Sequence, residues 1–295
     1  MDHGLFGMVK AWLNRAGLYR RRPGQTHSDG AVLAVYFWAV LHRRPTVWAC
    51  DRANWTPGAW RGTWPSQSCV SRRLREPRVI EQMDRLERAV RPPPESAALV
   101  AHVDGKALEI ALHSGDAQSG VGRGVGHSAR GYQLHAVVDA AGRLLTWRLA
   151  ALDLDEREMA RRMLGDLPPL GYLVADTFYD STTLFAAAHD QQIQLVAPRR
   201  PDRRGRGLGH IRQHAARLRS IALLENPAAE FGRALLTSRR GIERFFAHLS
   251  NFAGGLTSPP PWVRTYRRVR TWVQANLILA LLHRTIPTPP TNNDA

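Results

Sequence analysis

The chain has 295 residues, with 41 lysines and arginines against 25 aspartates and glutamates, a formal net charge of +16. A hydrophobic content of 44% allows a sizeable core and excludes wholesale disorder. The two cysteines, Cys50 and Cys69, exclude a disulfide framework and a zinc quartet and fit a reducing cytoplasm, and the apolar runs are too short to span a bilayer.

The positive excess favours a polyanionic partner, most simply nucleic acid. Only Lys10 and Lys106 are lysines, so the charge is carried by arginine, which forks phosphate oxygens bidentately. A GC-rich coding sequence would also raise the Arg-to-Lys ratio, but not the net charge.

In chain order, the first 95 residues read as helices. Leu5, Phe6, Met8, Val9, Trp12 and Leu13 recur at helical spacing. Ser28 or Asp29 is placed to cap a buried helix carrying the apolar run Ala31–Leu41. The stretch WPSQSCVSRRLRE (Trp64–Glu76) predicts a turn, a serine cap and a short helix exposing Arg72, Arg73 and Arg75, and a further helix follows through VIEQMDRLERAV. Short basic helices suit a helix-turn-helix-like DNA contact, and equally a solvated face. The prolines of RPPPES (Arg91–Ser96) cannot continue a helix and mark a domain boundary.

Strand signals begin beyond that break. ALVAHVDGKAL (Ala98–Leu108) predicts a strand carrying Asp104. The Gly/Ser-rich stretch after it has no Walker lysine and no GxGxxG entering a helix, and is expected to be a mobile, basic hairpin loop. YQLHAVVDAAGRLLTWRLAAL predicts two strands joined at DAAG, with Asp139 in the turn. DEREMARRMLGDL predicts a helix with a capping box from Asp155 to Glu158. GYLVAD predicts a strand, STTLFAAAHDQQ a helix capped by Asp180 or Ser181, and IQLVAPRR another strand. A very basic insertion, Pro201–Ser220, precedes a helix, SRRGIERFFAHLSNF, capped by Ser238, and a long last helix over Trp262–Leu282. Residues 286–295 read as a disordered tail. Three strands followed by alternating helices and strands predict an α/β domain with a mixed sheet flanked by helices.

Three acids stand apart. Asp104 sits late in the first strand, Asp176 ends the strand of YLVADTFYDS, and Glu243 lies beside the apolar stripe Ile242, Phe245, Phe246 and Leu249, one turn from Arg239. Carboxylates from strand ends and a helix suit two-metal phosphoryl transfer, with two Mg²⁺ or Mn²⁺ ions held by hard oxygen ligands. Each acid also has a structural reading: Asp104 precedes a glycine and can close a turn, Asp176 can cap a helix, and Glu243 can pair with Arg239.

The set VDGKAL, GYQLHAVVDAAGRLLTWRLAAL, YLVADTFYDS and RRGIERFFAHLSNF, in that order, resembles bacterial insertion-sequence transposases with a DDE catalytic domain of RNase H-like fold, nearest to insertion-sequence families four and five. The resemblance covers roughly residues 96–285, and WPSQSCVSRRLR is similar to their helical N-terminal region. It implies metal ligands at Asp104, Asp176 and Glu243, with Arg239 orienting Glu243 or holding a phosphate. The family's signature around its glutamate is Tyr, two residues, Arg, three residues, Glu, six residues, Lys. Arg239 and Glu243 match it; Leu236 stands at the Tyr position and Ser250 at the Lys position, and His248, Arg244 or the basic insertion would substitute for that lysine at DNA phosphate. The Gly-Asn-x-x-Asp stretch after the third strand is degraded to ALDLDERE.

The resulting expectation is a helical DNA-binding region over residues 1–95, an RNase H-like catalytic domain over 96–285 with a basic insertion near 200–235, and a tail over 286–295. The protein would bind double-stranded DNA at an element's inverted-repeat ends and at the target, as a homodimer in the nucleoid-associated cytoplasm, with no membrane contact. It would cleave DNA and join a 3′-hydroxyl to target DNA. DNA contacts are expected from Arg72, Arg73, Arg75, Arg199, Arg200, Arg203, Arg204 and Arg244. The rivals are a nuclease of the same fold without strand transfer and a DNA-binding relative with impaired catalysis.

Overall fold

The computed structural model describes residues 2–58, 60, 63–91, 99–200, 213–226, 230–251 and 255–285. Most of RPPPES, the heart of the basic insertion with Arg203 and Arg204, and the tail lie outside the described residues. In chain order the helices are α1 (Asp2–Arg15), α2 (Asp29–Leu41), α3 (Thr46–Ala49), α4 (Gln67–Arg73) and α5 (Pro77–Val90). Four strands follow: β1 (Val100–Ile110), β2 (Gly120–Arg123), β3 (Ser128–Asp139) and β4 (Leu144–Ala151). Then come α6 (Glu156–Met163), β5 (Tyr172–Val174), α7 (Thr182–Asp190), β6 (Gln194–Val196), α8 (Ala215–Glu225), α9 (Glu230–Ser238), α10 (Arg240–Asn251) and α11 (Tyr266–Arg284). They form two compact units: Met1–Arg91 with His248–Leu256 and Pro260–Ala295, and Pro92–Ala247 with Thr257–Pro259.

The first unit is helical. Every residue of α2 is buried, and a helix that is apolar all round belongs at the centre of its layer. Ser28 caps it as expected, its Oγ accepting from the Ala31 N–H at 3.1 Å. Trp38 of α2 stacks on Trp55 with ring centroids 4.9 Å apart. Their indole N–H groups donate to the Asn54 and Ala49 carbonyls at 3.0 and 2.7 Å, so the apolar bodies are buried without orphaning the polar edges. The last helix begins at Tyr266, four residues later than expected, after Thr265 turns the chain with φ 72. It packs on α5, α1 and α2.

One expected DNA contact is corrected here. Arg73 is buried, 5% exposed. It is ion-paired with Asp29 at the start of α2 and donates to the His27 carbonyl at 3.2 Å. Helical spacing placed it beside Arg72 and Arg75, but its side chain fastens α4 to α2. Arg72 and Arg75 are exposed.

The second unit holds a mixed six-stranded sheet, ordered β2-β3-β1-β5-β6, with β4 on the same edge of β3 as β2. β1, β3 and β4 are antiparallel, while β5 joins β1, and β6 joins β5, in parallel. With β2 set aside, the five main strands lie in the order third, second, first, fourth, fifth, the RNase H-like mixed sheet. Ala101 and Val103 of β1 face a core built with Met163 of α6, Phe185 of α7 and Ala216 of α8. On the other face Val174 and Val196 pack on Leu235 of α9.

Five local readings change. Gly120–Arg123 pairs with Ser128–Gly131, so part of the expected mobile loop is ladder. Asp155 caps α6 through Arg157 N–H at 2.8 Å, but Glu158 pairs with Arg161 and Arg162 instead of closing a capping box. Ser181 stands at the N-cap of α7 without a side-chain cap bond, its Oγ lying 2.9 Å from Thr183 Oγ1, and the Asp180 carboxylate is taken by Arg217 and by the Arg200 N–H. Ser238 ends α9 and does not cap α10. Residues 215–225, given to the insertion, form α8 against β6 and α7.

Candidate active site

Backbone pairing sets the centre of the site. Parallel β1 and β5 pair Val100 with Tyr172, Ala101 with Leu173 and His102 with Val174. Asp104 lies two residues past the last of these pairs on β1, and Asp176, two residues beyond the end of β5, is near enough for its charge to act on the Asp104 carboxyl. Asp176 caps the short 3-10 turn Thr177–Tyr179, its Oδ1 accepting from the Phe178 N–H at 2.8 Å. Gly105, next to Asp104, leaves room for Gln133: a Cβ there would lie 2.4 Å from Gln133 Nε2 and would make that side chain shift. That space is used by Gln133 to donate to Glu156 at 2.6 Å.

Burial pushes the Asp104 carboxyl up to about 6 by penalising its charged form. The charges of Asp176 and Glu156 add to the rise; the Gly105 N–H, donating at 2.8 Å, and the Arg239 guanidinium act against it. Glu156 is itself raised, first by burial, against the Gln133 hydrogen bond, with further contributions from the Asp176 and Asp155 charges. Tyr179 is fully buried, and its hydroxyl has no hydrogen-bond partner among the described residues. Burial, Glu156, Asp104 and Asp176 all hold its proton on.

The opposite face is organised by the break between α9 and α10. His102 Nε2 lies 2.8 Å from Ser238 Oγ. The Arg239 Nη2 lies 3.4 Å from Asp104 Oδ2 and 3.8 Å from Glu243 Oε1. Ile242, Phe245 and Leu249 are buried as the stripe predicts, leaving Glu243 at the margin with its side chain 60% exposed. Glu243 and Arg244 line a shallow depression of about 570 Å³ with Ser238, Arg240 and Ala140, and neither aspartate lines it.

Asp104 and Asp176 thus come together, and Arg239 links Asp104 to Glu243. Among the described residues no three His, Cys, Asp or Glu groups converge closely enough to hold a metal ion. The two aspartates supply the hard oxygens that a divalent cation takes; Glu243 turns toward solvent. Asp139 is the turn residue expected, its Oδ1 accepting from Ala141 and Arg143 N–H groups at 3.0 and 2.8 Å. Arg199 pairs with Glu225 at 2.9 Å, and Arg200 lies over the Phe178 ring, 5.8 Å from its centroid.

Sequence reasoning passed over Glu156. It sits in the first turn of a well-capped helix, where an acid is favoured by the helix dipole alone. Only the degraded stretch ALDLDERE marked the spot.

The family model described as "Transposase DDE domain" matches residues 95–282. No curated protein matches the chain. Among solved structures, the cryo-EM structure of a piggyBac transposase synaptic complex with hairpin DNA is similar over 94% of this chain and 70% of that chain, at 10% identity and a TM-score of 0.48.

Proposed function

Given that the chain belongs to the transposase DDE domain family, we propose that it binds the inverted-repeat ends of a mobile element, cleaves the DNA there and joins the freed 3′-hydroxyl to target DNA. The observation that carries this reading is the placement of Asp104 on β1 and of Asp176 two residues past the end of the adjoining β5, both inside the matched region. Glu243, tethered through Arg239, is the third acid.

Asp104, Asp176 and Glu243 would hold two Mg²⁺ or Mn²⁺ ions, which supply charge for the attacking and leaving oxygens of an in-line displacement. The protein's own groups set the stage for that. Burial raises the affinity of Asp104 for any cation, proton or metal, because its unpaired charge is costly there. Arg239 favours the ionised form of Asp104 and is placed to hand its contact to a phosphate. Glu243, exposed in this structure, would have to turn toward the pair to complete the set. The active assembly is a homodimer, since two ends must be held for joining. Among the described residues no helix is long and apolar enough to cross a membrane.

The test is a supercoiled plasmid carrying the DNA that flanks the gene, incubated with the protein and Mg²⁺ or Mn²⁺. Nicking at inverted repeats, lost in Asp176→Asn, supports the reading; metal-dependent nicking unchanged by that substitution sinks it. Leu236, Ser250 and the exposure of Glu243 favour a second reading, a DNA-binding relative with weakened chemistry. It predicts end binding without cleavage.

A further inference from the structure

A concentration of arginines lies away from the acids, in the helical unit. A cavity of about 700 Å³ is lined by the end of α2, the chain around α3 and α4, and the turn that starts α11. Among the described residues, six arginines line it, Arg43, Arg44, Arg75, Arg264, Arg267 and Arg268, and no Asp or Glu does. They come from three stretches far apart in sequence, so local composition alone did not gather them. Arg267 and Arg268 occupy the first turn of α11, which holds no acid, where the helix dipole already favours negative charge. Trp262 stands at the rim, 42% exposed. Two of the three non-glycine residues with positive φ among those described, Arg43 (50) and Thr265 (72), line the same groove. Arg264 is held by the Pro260 and Val263 carbonyls at 2.6 and 2.8 Å, which fixes the turn.

We propose that this groove clamps the sugar–phosphate backbone of double-stranded DNA. Guanidinium groups fork phosphate oxygens, and a row of phosphates is the partner that matches arginines converging on a groove whose described lining holds no acid. The groove reads no sequence; it contributes affinity and register, as phosphate contacts do. Only Arg75 is shared with the basic face foreseen from α4, so most of the clamp is built from residues outside that face. The proposal rests on the reading that the chain acts on DNA, but not on the chemistry at Asp104 and Asp176.

The experiment uses the full chain and a fluorescein-labelled duplex of mixed sequence, with anisotropy read over a series of salt concentrations. Arg267→Ala/Arg268→Ala should weaken binding about tenfold at low salt and lower the log–log salt slope by up to about 1.8, about 0.9 per lost phosphate contact. Arg43→Ala/Arg44→Ala should behave alike, whereas Arg88→Ala, an exposed arginine on α5, should change nothing. Circular dichroism melting checks that the variants fold; if a double variant does not, the single Arg267→Ala and Arg268→Ala variants carry the same test with half the slope change. An unchanged slope in folded variants overturns the clamp, as does equal competition by poly-glutamate of matched charge, which would mark an acidic-protein site. Plasmid nicking by a variant with an unchanged slope removes the clamp and leaves the proposed function; groove-dependent binding without metal-dependent nicking in wild type does the reverse.

Discussion

Arg239 stands between two acids that are 139 positions apart in the chain, with Nη2 3.4 Å from Asp104 and 3.8 Å from Glu243. It lies in the break between two helices, where its backbone N–H bonds to the Leu236 carbonyl at 3.1 Å. A single guanidinium therefore connects the sheet acid to the helix acid, and its removal should be felt at both.

Arg239→Gln should reduce Mg²⁺-dependent cleavage much more than DNA affinity. Because the Arg239 charge lowers the Asp104 pKa, its loss should move the acidic limb of the cleavage–pH profile upward. Glu156→Gln removes a charge that raises Asp104 and should move the same limb downward. Rate–pH profiles of the two variants shifted in the same direction would refute this coupling.

The acids can be set against each other. Asp104→Asn, Asp176→Asn and Glu243→Gln should each abolish cleavage, by a factor of about 10³ or more, with DNA binding retained. Asp139→Asn and Asp155→Asn should cut nearly normally, since Asn serves turns and caps almost as well as Asp. A dead Asp139 variant beside an active Asp176 variant in the plasmid assay would overturn the assignment.

Stability should report on Asp104 without any cleavage. Its folded pKa, about 6, lies above the ordinary value of 3.8. Between these values the folded protein keeps a proton that the unfolded chain releases, so stability falls as pH rises through this window and the penalty is complete above it. Asp104→Asn should therefore raise the melting temperature of the metal-free protein at pH 7.5, by a gain of at most about 3 kcal/mol, and lose the advantage near pH 4. Mn²⁺ should raise the melting temperature of the wild type and not of this variant. A variant less stable than wild type at pH 7.5 would show that the Arg239 contact outweighs burial.

The two kinds of arginine on α4 should separate cleanly. Arg73→Ala leaves Asp29 buried with Arg78, 47% exposed, as its near partner at 2.8 Å, and should cost about 3 kcal/mol in urea unfolding. Arg72→Ala should leave the unfolding curve in place. If Arg73→Ala melts like wild type while binding DNA more weakly, the exposed-face reading of that residue returns.

What the sequence determined by itself is whatever repeats within a turn or two of the chain. The all-apolar run Ala31–Leu41 could only be a central helix, the alternation around Asp104 and the run into Asp176 could only be strands, and Ile242, Phe245 and Leu249 named the buried face of α10 and left Glu243 at its edge. The order of those motifs was enough to reveal the family and its mixed sheet. Contacts between distant positions leave no such trace. Nothing local distinguishes Arg73, fastened to Asp29, from Arg72 one residue earlier, or tells Asp180 to hold Arg217 in place of capping α7. Glu156 reads as a helix-start acid until Gln133 crosses the gap left by Gly105 to reach it. The nearness of Asp176 to Asp104 follows from the pairing of β1 with β5, and the gathering of Arg43 with Arg268 from helix packing. Both are decided by how buried faces fit together, because the free energy of burying a face depends on its partner, which the chain's local pattern does not name.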